Sequence, residues 1–256
     1  MTGQTYDRLT FLDNSFLLME GPNSPMHIAG TAHFEAAPLR TAEGGIDIDK
    51  IRAYVSSRLH LIPRYRQRIA YVPVENHPVW IDDDHFNIHY HVRHTALPKP
   101  GDERQLKRLA ARIMSQHLDR SKPLWEIWLV EGLEGGDRIA MISKVHHCMI
   151  DGMSSVDLLN VLLSPFAGAE FEQAPDWIPR PAPTPYELMR DAAIRYATLP
   201  YSIALGCGAC ISSHRTGFPL ALCQACLTPV RIRPKFPGPS VKLSSPIRSV
   251  MSPSRM

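Results

Sequence analysis

Ile139-Ala140-Met141-Ile142-Ser143-Lys144-Val145-His146-His147-Cys148-Met149-Ile150-Asp151-Gly152-Met153-Ser154-Ser155 is the stretch from which the rest of the chain can be read. Residues 139–145 are an almost continuous apolar run, of the length expected for a buried strand. After His147 a short loop passes through Asp151-Gly152, and Ser154 or Ser155 can then cap a helix carrying Val156, Leu158, Leu159, Leu162 and Leu163. Strand, loop, helix is an α/β order, and it leaves two imidazoles where the strand ends. Adjacent strand residues point to opposite faces, so only one of His146 and His147 can face a given pocket. An imidazole there can take a proton from a hydroxyl near neutral pH, because its unperturbed pKa is about 6.5. Asp151 can hold the loop by hydrogen bonds or a salt bridge, and Gly152 permits a backbone angle or close approach that a side chain would prevent. Cys148 is the alternative nucleophile, but its side chain should point away from that of His147.

Working outward, residues 138–146 should pair with residues 125–133 as an antiparallel hairpin turned at Gly135-Gly136-Asp137. Ahead of them, Leu106, Leu109, Ile113 and His117 share one side of a helix over residues 102–117, with Asp102 as its N-cap. Residues 86–93 alternate strictly, which predicts a strand with Phe86, Ile88, Tyr90 and Val92 on one face. Residues 67–74 are also β-like. Ile48, Ile51, Val55, Leu59 and Ile62 predict an amphipathic helix over residues 47–62, stopped by Pro63, and residues 26–35 form a strand. Beyond the quoted stretch, residues 175–185 are a proline-rich connector to a last helix starting near Tyr186. No internal repeat is visible.

The chain has 256 residues, 44% of them hydrophobic, with 28 Lys+Arg against 25 Asp+Glu. This length can bury a substantial core, which excludes general disorder and a disulfide-held miniprotein. The near balance of charge argues against a dedicated nucleic-acid binder. The charge is unevenly spread, however: residues 206–256 carry seven Lys/Arg, no acidic residue, seven prolines and eight serines. We therefore expect a body over residues 1–205 and a basic, Pro/Ser-rich, disordered tail over residues 206–256. The body holds a single cysteine, Cys148, consistent with a reducing cytoplasm. Asp7, Arg8 and Asp13 near the start do not form a secretion signal.

The pattern H-H-x-x-x-D-G after a β run and before a helix resembles the active-site signature of the CoA-dependent acyltransferase superfamily. Leu12-Asp13-Asn14-Ser15-Phe16-Leu17-Leu18-Met19-Glu20 and Asn23-Ser24-Pro25-Met26-His27-Ile28 resemble the opening of the bacterial wax ester synthase/diacylglycerol acyltransferase family. Pro63-Arg64-Tyr65-Arg66-Gln67-Arg68, Tyr90-His91-Val92-Arg93-His94 and Asp119-Arg120-Ser121-Lys122-Pro123-Leu124-Trp125-Glu126 are similar to that family too. The likeness runs over roughly residues 8–200. It implies a chloramphenicol acetyltransferase-like α/β sandwich, with a mixed sheet flanked by helices. It also implies transfer of a long-chain acyl group from acyl-CoA to diacylglycerol or a fatty alcohol, without cofactor or metal, CoA entering as part of the substrate. His147 would be the general base, with His146 beside it, Asp151 structural and Gly152 in the loop. Pro123, Leu124 and Trp125 would shape the substrate channel.

The family has a second, similarly folded half, with the site between the halves and an Asn-Asp motif in the second. No counterpart follows residue 205 here, so the alternatives are a truncated remnant that binds lipid or a partner without turnover, or a related acyltransferase with another acceptor. The partners expected are acyl-CoA and a lipid alcohol, with a membrane or lipid-droplet surface as the working place and a homodimer as one way to rebuild a site. Residues 196–213 are uncharged but interrupted by Pro200, Gly206 and Gly208, and too short to span a bilayer. Two apparent metal clusters remain. Cys207, Cys210, Cys223 and Cys226 have the spacing of a four-thiolate zinc site, in a tail better read as unstructured. His85, His89, His91 and His94 are better read as a solvated strand face.

Overall fold

The computed structural model describes residues 5–150 and 176–198. Two compact units divide the chain, Met1–Arg195 and Tyr196–Met256. The first unit holds the strands β1 (Asp7–Arg8), β2 (His27–Glu35), β3 (Gln67–Tyr71), β4 (Pro78–Asp82), β5 (Val92–Ala96), β6 (Trp125–Leu133) and β7 (Arg138–His146). Its α-helices are α1 (Phe11–Met19), α2 (Ile48–Arg58), α3 (Ile88–His91) and α4 (Glu103–Ser115), and residues 185–198 are also helical.

The central sheet has the order β2-β7-β6-β5. β7 runs antiparallel to both neighbours, whereas β5 and β6 are parallel, which makes the sheet mixed. The expected hairpin is present, with its turn carried by Gly135 and Gly136 at φ 74° and 110°, a region glycine enters without a Cβ penalty. β7 is buried on both faces, and period-two alternation sorts its residues between two cores. Ala140 and Ile142 pack with Val130 and Leu133 against Leu106, Ala110 and Ile113 of α4. Met141 and Val145 join Ile127, Leu129, Leu17, Val55 and Leu59 on the opposite side, where α1 and α2 lie. A sheet covered on both faces by helices is the α/β sandwich expected.

α4 begins as the sequence predicts. The Asp102 side chain accepts the Gln105 N–H at 2.7 Å while Gln105 reaches back to the Asp102 N–H at 2.9 Å, closing a capping box. The helix ends at Ser115, two residues before its predicted end, and Lys144 of β7 caps its C-terminus by donating to the carbonyls of Ile113 (3.0 Å) and Gln116. Asp102→Ala should cost about 1 kcal/mol, read as a shift in the urea midpoint with an unchanged m-value.

β1, β3 and β4 form a second, antiparallel sheet. The proline-rich connector is described from residue 176 and is docked at this sheet's β4. Arg180 donates from Nε (3.1 Å), Nη2 (2.9 Å) and its backbone N–H (2.9 Å) to the Asp82 carboxylate. The last helix starts at a second capping box, Thr184 with Glu187, and buries Leu188 and Ala192 against Tyr6, Val72, Val79 and Ile81.

Several elements differ from the sequence reading: α2 ends at Arg58, ahead of the expected stop at Pro63, and β4 has no counterpart in it. Residues 86–93 are not one strand: Asn87 accepts the His89 N–H at 2.9 Å, nucleating the single turn α3, and β5 starts only at Val92. A local side-chain bond that mimics a turn outcompetes alternation. The sequence reading assigned no element to residues 11–19, which form α1 capped by Thr10. That helix lacks a clean apolar stripe, because Asp13 is buried while Phe11, Leu12, Leu18 and Met19 are exposed. The helix beyond Ser154, the domain boundary at residue 205, the tail and its four cysteines lie outside the described residues.

Candidate active site

β7 carries His146 at its last position, and the chain then tightens into a 3-10 turn, His147–Met149. This change of geometry separates the two imidazoles. His146 is fully buried and shares the face of Lys144, whereas His147 is half-buried and stacks on Phe16 of α1, with ring centroids 4.6 Å apart and planes 20° apart. The backbone N–H of His147 donates to the Met26 carbonyl at 2.9 Å, and that of His146 to the Leu124 carbonyl at 3.0 Å. His147 is therefore held through its backbone and its ring yet stays only half-buried.

Behind the pair lies a polar cluster from four separate segments. Glu20 Oε1 is 3.2 Å from His27 Nε2, 3.4 Å from His117 Nδ1 and 3.5 Å from His146 Nε2. Oε2 of the same carboxylate accepts from Arg120 Nη2 at 2.8 Å and Nε at 3.2 Å. Arg120 also donates to the Leu17 carbonyl at 3.0 Å, tying the end of α1 to the segment before β6. His27 and His146 are register partners in the β2–β7 ladder, which is why their rings meet at 5.7 Å.

These surroundings set the charges. Burial alone would raise the Glu20 carboxyl, but the Arg120 hydrogen bond, the Met26 N–H and nearby charge outweigh it and bring the pKa down to about 2. Burial lowers His146 to about 4, against the pull of Glu20. His27 also falls to about 4, through burial and then the nearby Lys144 charge. Glu20 is thus ionised, and both buried imidazoles are neutral, at pH 7. All three groups bind fewer protons folded than unfolded, so stability must fall on acidification. The histidine contribution is lost as the pH drops from about 6.5 towards 4, and that of Glu20 from about 4.5 towards 2. Thermal melting should record a loss that begins below about pH 6.5, and His27→Gln should flatten the upper part of that slope.

Other candidates fall apart in space. Cys148 is buried, and burial pushes its thiol well above the ordinary range, the wrong direction for a nucleophile. His91, expected on a solvated strand face, is buried: its Nδ1 meets the Trp125 carbonyl at 2.8 Å, and its ring stacks against both Phe86 and Trp125. Burial again keeps it neutral, lowering its pKa to about 4. His85 and His89 are exposed, and His94 pairs with Glu131 at 2.6 Å, so the four histidines form no common site. Pro123, Leu124 and Trp125 are buried core residues whose backbone meets the histidine pair through the Leu124 carbonyl. Asp151 and Gly152 lie outside the described residues.

Sequence reasoning gave no role to Glu20, His27, His117 or Arg120. Their separations along the chain, up to 100 residues for Glu20 and Arg120, follow no local period.

A family model described as the wax ester synthase/diacylglycerol acyltransferase catalytic domain matches residues 9–212. Among curated relatives, a Mycobacterium tuberculosis protein named "Probable diacyglycerol O-acyltransferase tgs3" is 41% identical over 156 residues, covering 60% of this chain and 55% of its own length. Another from the same species, "Probable diacyglycerol O-acyltransferase tgs1", is 37% identical over 155 residues, covering 60% of this chain and 32% of its own length. The matched part is thus between about a third and a little over half of these relatives. Among solved structures, the wax ester synthase/diacylglycerol acyltransferase from Marinobacter aquaeolei VT8 superposes with a TM-score of 0.51 at 27% identity, over 83% of this chain and 48% of that one.

Proposed function

The chain belongs to the wax ester synthase/diacylglycerol acyltransferase catalytic-domain family, and on that premise we propose that it transfers a long-chain acyl group from acyl-CoA to diacylglycerol or a fatty alcohol, with His147 as general base. The observation that carries this reading is the contrast within the histidine pair: His146 is sealed in the core, while His147 is half-buried, with its ring stacked on Phe16 and its backbone N–H held by the Met26 carbonyl. The ring takes the proton of the acceptor hydroxyl as its oxygen attacks the thioester carbonyl. The resulting tetrahedral intermediate collapses with cleavage of the C–S bond, and the imidazolium returns its proton to the departing CoA sulfur. This sequence needs no acyl-enzyme and no metal or redox cofactor. Asp151 and Gly152 are assigned to loop structure, and Pro123, Leu124 and Trp125 to the wall behind the acyl chain, where their burial makes them backing rather than lining.

Peripheral attachment to a membrane or lipid-droplet surface belongs to the same proposal. It is supported by the exposed apolar side chains of α1, where Phe11 is 89% and Leu18 77% accessible. No helix among the described residues is long and apolar enough to cross a membrane. The test is incubation of the purified chain with labelled palmitoyl-CoA and either diacylglycerol or hexadecanol. Labelled triacylglycerol or wax ester supports the reading and identifies the acceptor. Folded protein that yields neither overturns it in favour of binding without turnover.

A further inference from the structure

We propose that Glu20 is the positioning residue for the histidine pair, holding the turn that presents His147 from both of its flanks. This rests on His147 as the base proposed above, but the geometry stands apart from any turnover.

Two paths lead from the Glu20 carboxylate to the backbone of His147. On the first, Oε1 accepts the Met26 N–H at 3.2 Å, and the carbonyl of the same Met26 accepts the His147 N–H at 2.9 Å. On the second, Oε1 faces His146 Nε2 across 3.5 Å, and Nδ1 of that ring accepts the Cys148 N–H at 3.2 Å, inside the 3-10 turn itself. Nδ1 also lies 3.0 Å from Cys148 Sγ, whose thiol can donate to it; with two donors facing Nδ1, we assign the proton of the neutral His146 ring to Nε2. That nitrogen lies 3.5 Å from a carboxylate held ionised by Arg120. The separation exceeds a hydrogen bond, so this link is electrostatic, between an ionised carboxylate and the dipole of a neutral ring.

Glu20 is itself immobilised. Its side chain is 5% exposed, and Arg120 clamps Oε2 with two donors while reaching the Leu17 carbonyl at the end of α1. One carboxylate therefore joins the end of α1, the start of β2, the loop before β6 and the end of β7. Phe16, on which His147 stacks, lies in that same short helix, next to Leu17. No other acidic side chain among the described residues comes within ion-pair distance of His146.

The test compares wild type, Glu20→Gln and Glu20→Asp by two readouts. The first is long-range nitrogen–proton NMR of the histidine rings, with His146 assigned by difference from His146→Gln. Wild type should hold His146 as a single Nε2–H tautomer. Glu20→Gln, which places an amide donor where an acceptor is required, should give mixed tautomers and a shifted His147 ring, while circular dichroism shows the protein folded. The second readout is acyl transfer. Glu20→Gln should lower kcat about 10²-fold, the scale of a 1 Å misplacement of a reacting group, at a KM for palmitoyl-CoA within about twofold. Glu20→Asp, one methylene shorter but still anionic, should recover part of the rate and the single tautomer.

Unchanged ring spectra in folded Glu20→Gln overturn the proposal, as does a loss of kcat that follows stability alone across both variants. The proposal is also overturned if the protein retains stoichiometric zinc whose removal by EDTA abolishes the tautomer order, because Glu20 would then be a ligand with His27 and His117. If wild type shows no acyl transfer, the functional reading fails while the ring spectra still decide the role of Glu20.

Discussion

His147→Ala is expected to lower acyl transfer from palmitoyl-CoA by about 10²–10⁴-fold, the range associated with removal of a general base, with little change in KM for the thioester. On the proposed mechanism an alcohol is a poor nucleophile until its proton is taken, and of the two histidines only His147, just beyond β7, is half-buried rather than sealed. The structural cost of the change should be small. The variant loses the stack on Phe16, worth about 0.5–1.5 kcal/mol, while the backbone bond to Met26 is retained. Rate and stability should therefore separate: near-native melting with product reduced to a trace. Full activity in His147→Ala would remove His147 from the chemistry. A loss of rate matched by a loss of folded protein would make the residue structural.

The second large effect is on stability. Trp125→Ala should destabilise the fold by about 3–5 kcal/mol, seen as a shift of the urea midpoint. Trp125 is 1% exposed at the first position of β6, and its indole N–H donates to the Tyr65 carbonyl at 2.8 Å. The Tyr65 ring packs against one side of it at 4.7 Å and His91 stacks on it at 4.5 Å, so truncation opens a cavity and leaves a buried carbonyl without its donor. Trp125→Phe should recover most of the packing and leave the cost of the lost hydrogen bond, about 1–3 kcal/mol. A Trp125→Ala protein as stable as wild type would show that this core relaxes around the void. Because Leu124 and Trp125 adjoin His146 through the Leu124 carbonyl, acyl transfer should fall in this variant as well, in proportion to the folded fraction.

Much of the fold is legible in the sequence. The β6–β7 hairpin, α4 with its Asp102 cap, β2, α2 and the last helix all follow from local rules: alternation, three- and four-residue spacing, cap residues and glycine turns. The sequence pattern misleads where two local rules compete. In residues 86–93 the alternating pattern was present, but Asn87 offered the backbone a turn, and the turn prevailed. In α1 the helix could not be seen because its polar Asp13 is buried and several of its apolar residues are exposed.

By itself, the sequence determined the alternation of elements, the buried strand ending in His146-His147, and a family likeness resting on motifs read in order along the chain. These are properties of neighbours in sequence, set by steric preferences and side-chain periodicity over a few residues. Only the tertiary structure decided which histidine is sealed in and which stays open, that His91 belongs to the core, and that Glu20 meets His27, His117, Arg120 and His146 around one carboxylate. Those facts depend on strand register and on segments up to about 126 residues apart. Burial and pairing, which move the Glu20 and His146 protons in the directions described, exist only once the chain has folded.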